Sequence, residues 1–176
     1  KNLLTKAFNI KRRFLARYKV ANAGHVGCSL SVAEMLTFVR FDWMKDNDEI
    51  ILSKGHAAAA LYSMLVEDET LSEDDAKTFY KNGTVLSAHP APNKFKSIPF
   101  ATGSLGHGFP IATGIAKAKK LKDDKSFVYV LMSDGETNEG TTWEAAHFAV
   151  SHKLNNLIVV IDKNGDMQQY TCTGNG

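Results

Sequence analysis

The chain has 176 residues, 44% of them hydrophobic and 23% charged, which is enough apolar material for one ordinary globular domain and rules out bulk disorder. Its 21 Lys+Arg against 19 Asp+Glu leave a net charge of +2, and the basic residues are scattered among acids, so a dedicated nucleic-acid or membrane-surface protein is excluded. Cys28 and Cys172 fit neither a disulfide framework nor a metal-ligand spacing, which points to a reducing compartment. The charge-free run over residues 103–116 is too short and too glycine-rich to span a bilayer. Residues 1–18 lack the apolar core of a secretory signal, so the expected location is cytoplasmic.

Leu3, Leu4, Phe8, Ile10, Phe14 and Leu15, with basic residues between them, predict an amphipathic opening helix that breaks across residues 21–27. Gly24-His25-Val26-Gly27 reads as a loop. Ser31 is expected to cap the next helix, because Glu34 follows three residues later and Val32, Met35, Leu36 and Val39 line one face. A short strand over residues 49–52 turns through Ser53-Lys54-Gly55-His56 into an alanine-rich helix over 57–65. Ser72 opens a further helix expected to end near Gly83. The second half alternates a helix over 108–120, a strand over 127–132, a helix over 141–152 and a strand over 157–161. Strands of nearly continuous apolar character separated by helices imply a parallel sheet buried on both faces. The expected architecture is therefore α/β, a doubly wound parallel sheet flanked by helices, in a single domain over residues 1–176.

In such a sheet ligands bind beyond the carboxyl ends of the strands. Those ends carry Ser133-Asp134-Gly135-Glu136 and Asp162-Lys163-Asn164-Gly165. The carboxylate of Asp134 and the carboxamide of Asn164 are hard oxygen donors of the kind Mg²⁺ takes, with phosphate and water completing its octahedral shell. Gly135 lets a phosphate approach the backbone, and the amino end of the following helix favours anions. Polar residues at strand ends also cap turns, so the chemistry rests on what surrounds them. His147 and His152, five apart on a helix, are not at ligand spacing and read as packing or surface residues. Cys28 reads as a small buried residue, and Trp143 as core or interface.

The stretch Asp134-Gly135-Glu136-Thr137-Asn138-Glu139-Gly140-Thr141-Thr142-Trp143-Glu144-Ala145-Ala146, followed by Asn155-Asn156-Leu157 and Asp162-Lys163-Asn164, closely resembles the thiamine diphosphate motif of transketolases. Ser133 stands where that motif opens on glycine, a departure that could shift the turn. Gly24-His25-Val26-Gly27, Ser53-Lys54-Gly55-His56, Ala88-His89-Pro90 and Thr102-Gly103-Ser104-Leu105-Gly106-His107-Gly108 occur in the order in which transketolases carry their matching segments.

The resemblance implies Asp134 and Asn164 as Mg²⁺ ligands, with the backbone carbonyl of Asp166 as a third, although the family usually has an apolar residue there. It implies His56, Gly135 and Asn164 as diphosphate contacts, with Glu136 in the same motif, and Gly103, Ser104 and Leu105 against the thiazolium and aminopyrimidine. His25 and His89 match substrate-facing histidines that move hydroxyl protons; Glu139 and Glu144 match acids at the subunit interface that connect paired sites. The implied activity is transfer of a two-carbon ketol unit from a ketose phosphate to an aldose phosphate, with thiamine diphosphate and Mg²⁺. The pyrimidine-binding domain of the family is not in this sequence, which stops soon after Asn164, earlier than a complete diphosphate-binding domain. The expectation is the amino-terminal subunit of a split transketolase, its C-terminal end incomplete, paired with a chain that supplies that domain as a dimer of heterodimers. Competing readings are a deoxyxylulose-phosphate synthase-like or oxo-acid dehydrogenase-like subunit, or a non-catalytic cofactor-binding scaffold. No G-x-G-x-x-G follows a first strand, which disfavours a dinucleotide-binding protein.

Overall fold

The computed structural model describes residues 2–92, 95 and 97–164. Three parallel strands, β1 (Glu49–Leu52), β2 (Val128–Ser133) and β3 (Leu157–Asp162), form one sheet in the order β1-β2-β3. The register pairs Leu52 with Leu131 and Ser133 with Asp162, so the carboxyl ends of β2 and β3 are level.

The helices lie on both sides of this sheet, as the apolar strands require. On one side α1 (Leu3–Ala21), α2 (Val26–Phe38) and α3 (Ala58–Glu67) pack with Leu52, Tyr129 and Leu131. On the other, Phe109, Ala112 and Ala116 of α5 (Gly108–Leu121) and Ala145 of α6 (Gly140–Ser151) pack with Ile51, Val128, Val130 and Met132. Successive strand residues thus alternate between two cores, and every residue of β2 is buried.

α1 shows how the pattern resolves. Its buried stripe is Ala7, Ile10, Phe14 and Tyr18, spaced three and four apart, while Leu4, Phe8 and Leu15 of the predicted apolar set are exposed. The Asn2 side chain accepts the Thr5 N–H at 3.3 Å to cap the amino end, and Asn22 in the left-handed region ends the helix.

Two expected boundaries are corrected. Ser31 does not cap α2, which begins at Val26 with His25 at its cap, so that Ser31 falls in its second turn; the Ser31 hydroxyl donates to the Cys28 carbonyl and the Asp162 carboxylate. The helix capped by Ser72, α4, covers only Glu73–Ala76, after which turns carry the chain on; Asp75 is tied back to Ser72, and the aromatic cluster of Phe79 with Tyr18, Tyr62 and Tyr80 takes over from helical bonding. The end of α2 widens into a π turn over Val39–Trp43.

Candidate active site

Three segments arrive at the carboxyl end of the sheet from different directions. His25 stands at the start of α2, His56 in a short 3₁₀ turn (Gly55–Ala57) directly after β1, and His89 in the irregular stretch beyond α4. Their rings gather: His25 lies 5.6 Å from His56 and 5.9 Å from His89, centroid to centroid. The positions of the last two are fixed locally. A Cβ on Gly55 would come within 2.4 Å of the Thr102 carbonyl carbon, so only glycine lets the turn bearing His56 meet the Thr102-Gly103 backbone. The Tyr62 hydroxyl, from the buried face of α3, donates toward the backbone carbonyls of Ser87 and His89 at 3.1 and 3.4 Å.

The three imidazoles are partly buried. Burial, then Lys54 and the two other histidines, lowers the pKa of His56 to about 4, against a weaker opposing pull from Asp162. Burial and His25 also lower that of His89. His56 is therefore a neutral imidazole at pH 7, able to accept a proton at one nitrogen and donate from the other.

Ser133 closes β2 in extended conformation, at φ −85° and ψ 157°, so the turn there does not need the glycine of the resembling motif. Asp134 opens a 3₁₀ turn over Asp134–Asn138, and the Gly135 N–H donates to its carboxylate at 3.0 Å. Glu136 is fully buried. One of its oxygens accepts from the Ser53 hydroxyl and the Gly106 N–H at 3.1 Å; the other accepts the Ser133 N–H at 2.9 Å, with the Ser133 hydroxyl at 3.5 Å. Both oxygens are thereby engaged by the protein, and Glu136 ties the ends of β1 and β2 to Gly106, the residue that follows the Gly103–Leu105 segment.

Gly106 continues that tie. It has φ +73°, and a Cβ there would lie 2.6 Å from both the Glu139 Cβ and the Thr141 hydroxyl. Thr141 in turn donates to the Gly106 carbonyl at 2.7 Å, holding the amino end of α6 against the loop. Glu139 is exposed at this junction, and Glu144 is exposed further along α6 beside Trp143, which is 57% exposed. Ser104 is exposed and Leu105 half-buried.

At the end of β3 Asp162 is buried and paired with the fully buried Lys54 from the end of β1. Asn164 lies two residues on and donates through Nδ2 to the Ser31 hydroxyl at 3.4 Å. Asp166 lies outside the described residues. Lys54, Asp162, Ser31 and Tyr62 are site-building residues to which the motif reading gave no role. A lysine between an apolar strand and an alanine-rich helix, and an aspartate closing an apolar strand, are the signals that could have paired them.

The arrangement thus unites His25, His56, His89, the Gly103–Leu105 loop, and the ends of β2 and β3. Residues 5–171 match the family described as transketolase, thiamine diphosphate binding domain. This chain belongs to the transketolase family. The transketolase of Campylobacter jejuni, a solved structure, superposes with a TM-score of 0.83 at 30% identity, covering 94% of this chain and 28% of that one. One of the subunits of an apulose-4-phosphate transketolase, from Actinobacillus succinogenes, is 38% identical over 169 residues, 90% of this chain and 61% of the relative. A Clostridium protein named 6-deoxy-6-sulfo-D-fructose transketolase subunit SqwG is 35% identical over 164 residues, 88% of this chain and 60% of the relative. The chain therefore spans about three-fifths of the length of these two relatives. No helix among its described residues is long and apolar enough to cross a membrane.

Proposed function

We propose that this chain is the diphosphate-binding subunit of a split transketolase, moving a two-carbon ketol unit from a ketose phosphate to an aldose phosphate with thiamine diphosphate and Mg²⁺. The observation that carries the reading is the cluster of three imidazoles, with ring centroids of neighbouring pairs within 6 Å, at the same sheet end as Asp134 and Asn164. The donor set fits the metal. Asp134 and Asn164 follow level strand ends and offer a carboxylate and a carboxamide oxygen, while among the described residues no group of three His, Cys, Asp or Glu could hold an ion unaided. Such a site suits a cation that completes its shell with diphosphate oxygens and water.

In this reading Asp134 and Asn164 would hold Mg²⁺, Gly135 and His56 would border the diphosphate, and Gly103, Ser104 and Leu105 would flank the rings, while Glu136, fully buried with both oxygens bonded to Ser53, Gly106 and Ser133, supports the site from behind instead of touching the cofactor. Bound thiamine diphosphate supplies the nucleophilic carbon that takes up the two-carbon unit. His25 and His89 face the sugar hydroxyls. Neutral His56, able to donate and accept, keeps a third proton path open, and such transfers are each worth about 10²- to 10⁴-fold.

A partner is supported on two grounds. Both of these relatives are named as subunits, and α6 exposes Trp143 and Val150, seven residues apart and so on one helix face, apolar side chains that association would cover. Glu139 and Glu144 lie at this end of the molecule, where a second chain would bring paired sites together in a dimer of heterodimers, in the cytoplasm. The two relatives' names specify sugars bearing a phosphate and a sulfo group, which supports an anionic sugar as substrate. Assay with the partner chain tests the reading: a ketose phosphate should serve as donor to an aldose phosphate. Turnover of pyruvate in its place would move the chain to another class of thiamine diphosphate enzyme, and absence of any turnover would favour a scaffold.

A further inference from the structure

We infer that Ser31 is a positioning residue that sets the affinity for Mg²⁺ and thiamine diphosphate, by fixing which atom of the Asn164 carboxamide faces the metal. The inference rests on the cofactor reading above. Three elements meet at this hydroxyl. Ser31 comes from the second turn of α2, Lys54 from the end of β1, and Asp162 and Asn164 from the end of β3. The Ser31 hydroxyl donates to Asp162 Oδ2, with the Cys28 carbonyl at 3.1 Å as its other acceptor. Its lone pairs receive Asn164 Nδ2 at 3.4 Å and Lys54 Nζ at 3.5 Å.

The chemistry follows from the carboxamide's two unlike ends. A metal takes only the oxygen; a carboxamide turned through 180° would present N–H donors to the cation. An acceptor placed on Nδ2 selects the productive orientation, and Ser31 is that acceptor. Its own proton must then go elsewhere, and the Asp162 carboxylate takes it. Asp162 is in turn held by the Lys54 ammonium, which is fully buried and cannot swing away. The Lys54–Asp162 pair thus serves as the fixed base on which Ser31 is oriented, and Ser31 orients Asn164. Groups standing behind a metal ligand in this way change affinity by about 10- to 100-fold when removed.

The test is calorimetric titration of Mg²⁺ and thiamine diphosphate into the enzyme assembled with its partner, in parent, Ser31→Ala, Ser31→Thr, Asn164→Ala and the Ser31→Ala/Asn164→Ala double variant. Ser31→Ala should weaken binding about tenfold or more, and Ser31→Thr, which keeps the hydroxyl, should restore most of it. In the Asn164→Ala background the serine substitution should cost nothing further. The thermal midpoint without cofactor should stay within about 3 °C of the parent, because a partly buried hydroxyl is all that is lost. Unchanged affinity in Ser31→Ala, or an equal loss with and without Asn164, would overturn the inference while leaving the cofactor reading intact. A parent assembly that takes up no thiamine diphosphate with Mg²⁺ in excess would overturn both.

Discussion

Glu136 offers the sharpest test of how the site is held together. Glu136→Ala removes a fully buried carboxylate and strands its donors: the backbone N–H groups of Gly106 and Ser133, at 3.1 and 2.9 Å, and the Ser53 hydroxyl. Hydroxyls of Ser53 and Ser133 can rotate toward other acceptors; the two amides cannot. Each buried group left without a partner costs about 1–3 kcal/mol, so the two amides account for roughly 2–6 kcal/mol, and about 4 kcal/mol is the expected loss. For a domain of this size it lowers the thermal midpoint by about 8–16 °C. Glu136→Gln keeps the volume and one acceptor oxygen but sets an NH₂ group against a donor, and should cost about half as much. Urea unfolding followed by circular dichroism reads both. A loss below about 1 kcal/mol for Glu136→Ala would show that water or a shifted backbone satisfies the amides, and that Glu136 is not the tie between β1, β2 and the glycine loop.

Gly106→Ala should destabilise by about 2–3 kcal/mol in the same assay, because a Cβ at φ +73° would also lie 2.6 Å from the Glu139 Cβ. His56, lowered to about 4 in the fold and near 6.5 unfolded, is protonated first in the unfolded chain. Its contribution is therefore fully present above pH 6.5 and is lost as pH falls toward 4. With its partial exposure discounted, the loss is about 2 kcal/mol, visible as a falling urea midpoint and as an imidazole NMR titration centred near 4. Tyr62→Phe keeps a fully buried ring but loses the hydroxyl that reaches the Ser87 and His89 carbonyls, so it should cost about 1 kcal/mol in urea unfolding.

Much of this molecule could be read from the order of its residues. The apolar run that became β2 is buried throughout, and the helices between the strands leave a parallel sheet as the arrangement that fits; β3 departs from the expected burial on both faces, since Val159 and Ile161 are exposed. Asp134 and Asn164 stood out because strand ends are where such sheets bind ligands. What escaped the reading was decided by long-range competition. Ser31 and Glu34 have the spacing of a capping box, yet a carboxylate 131 positions away claims the serine hydroxyl. Leu4, Phe8 and Leu15 looked like core because apolarity was counted without knowing which face of α1 meets α2 and α3. Glu136 was grouped with the cofactor contacts by its place in the motif; that both its oxygens serve Ser53, Gly106 and Ser133 depends on three segments that meet only in the fold. The Lys54–Asp162 pair is hidden for the same reason, since nothing local matches a lysine to an acid 108 positions on.

The central claim is that the ends of β2 and β3 hold thiamine diphosphate through Mg²⁺, and calorimetric titration of the parent and Asp134→Ala, each assembled with its partner, tests it most directly. The account predicts Mg²⁺-dependent binding by the parent that chelation abolishes, and a loss of at least about 100-fold in Asp134→Ala at an unchanged thermal midpoint without cofactor. Equal binding by both proteins, or binding by the parent that ignores Mg²⁺, would contradict it.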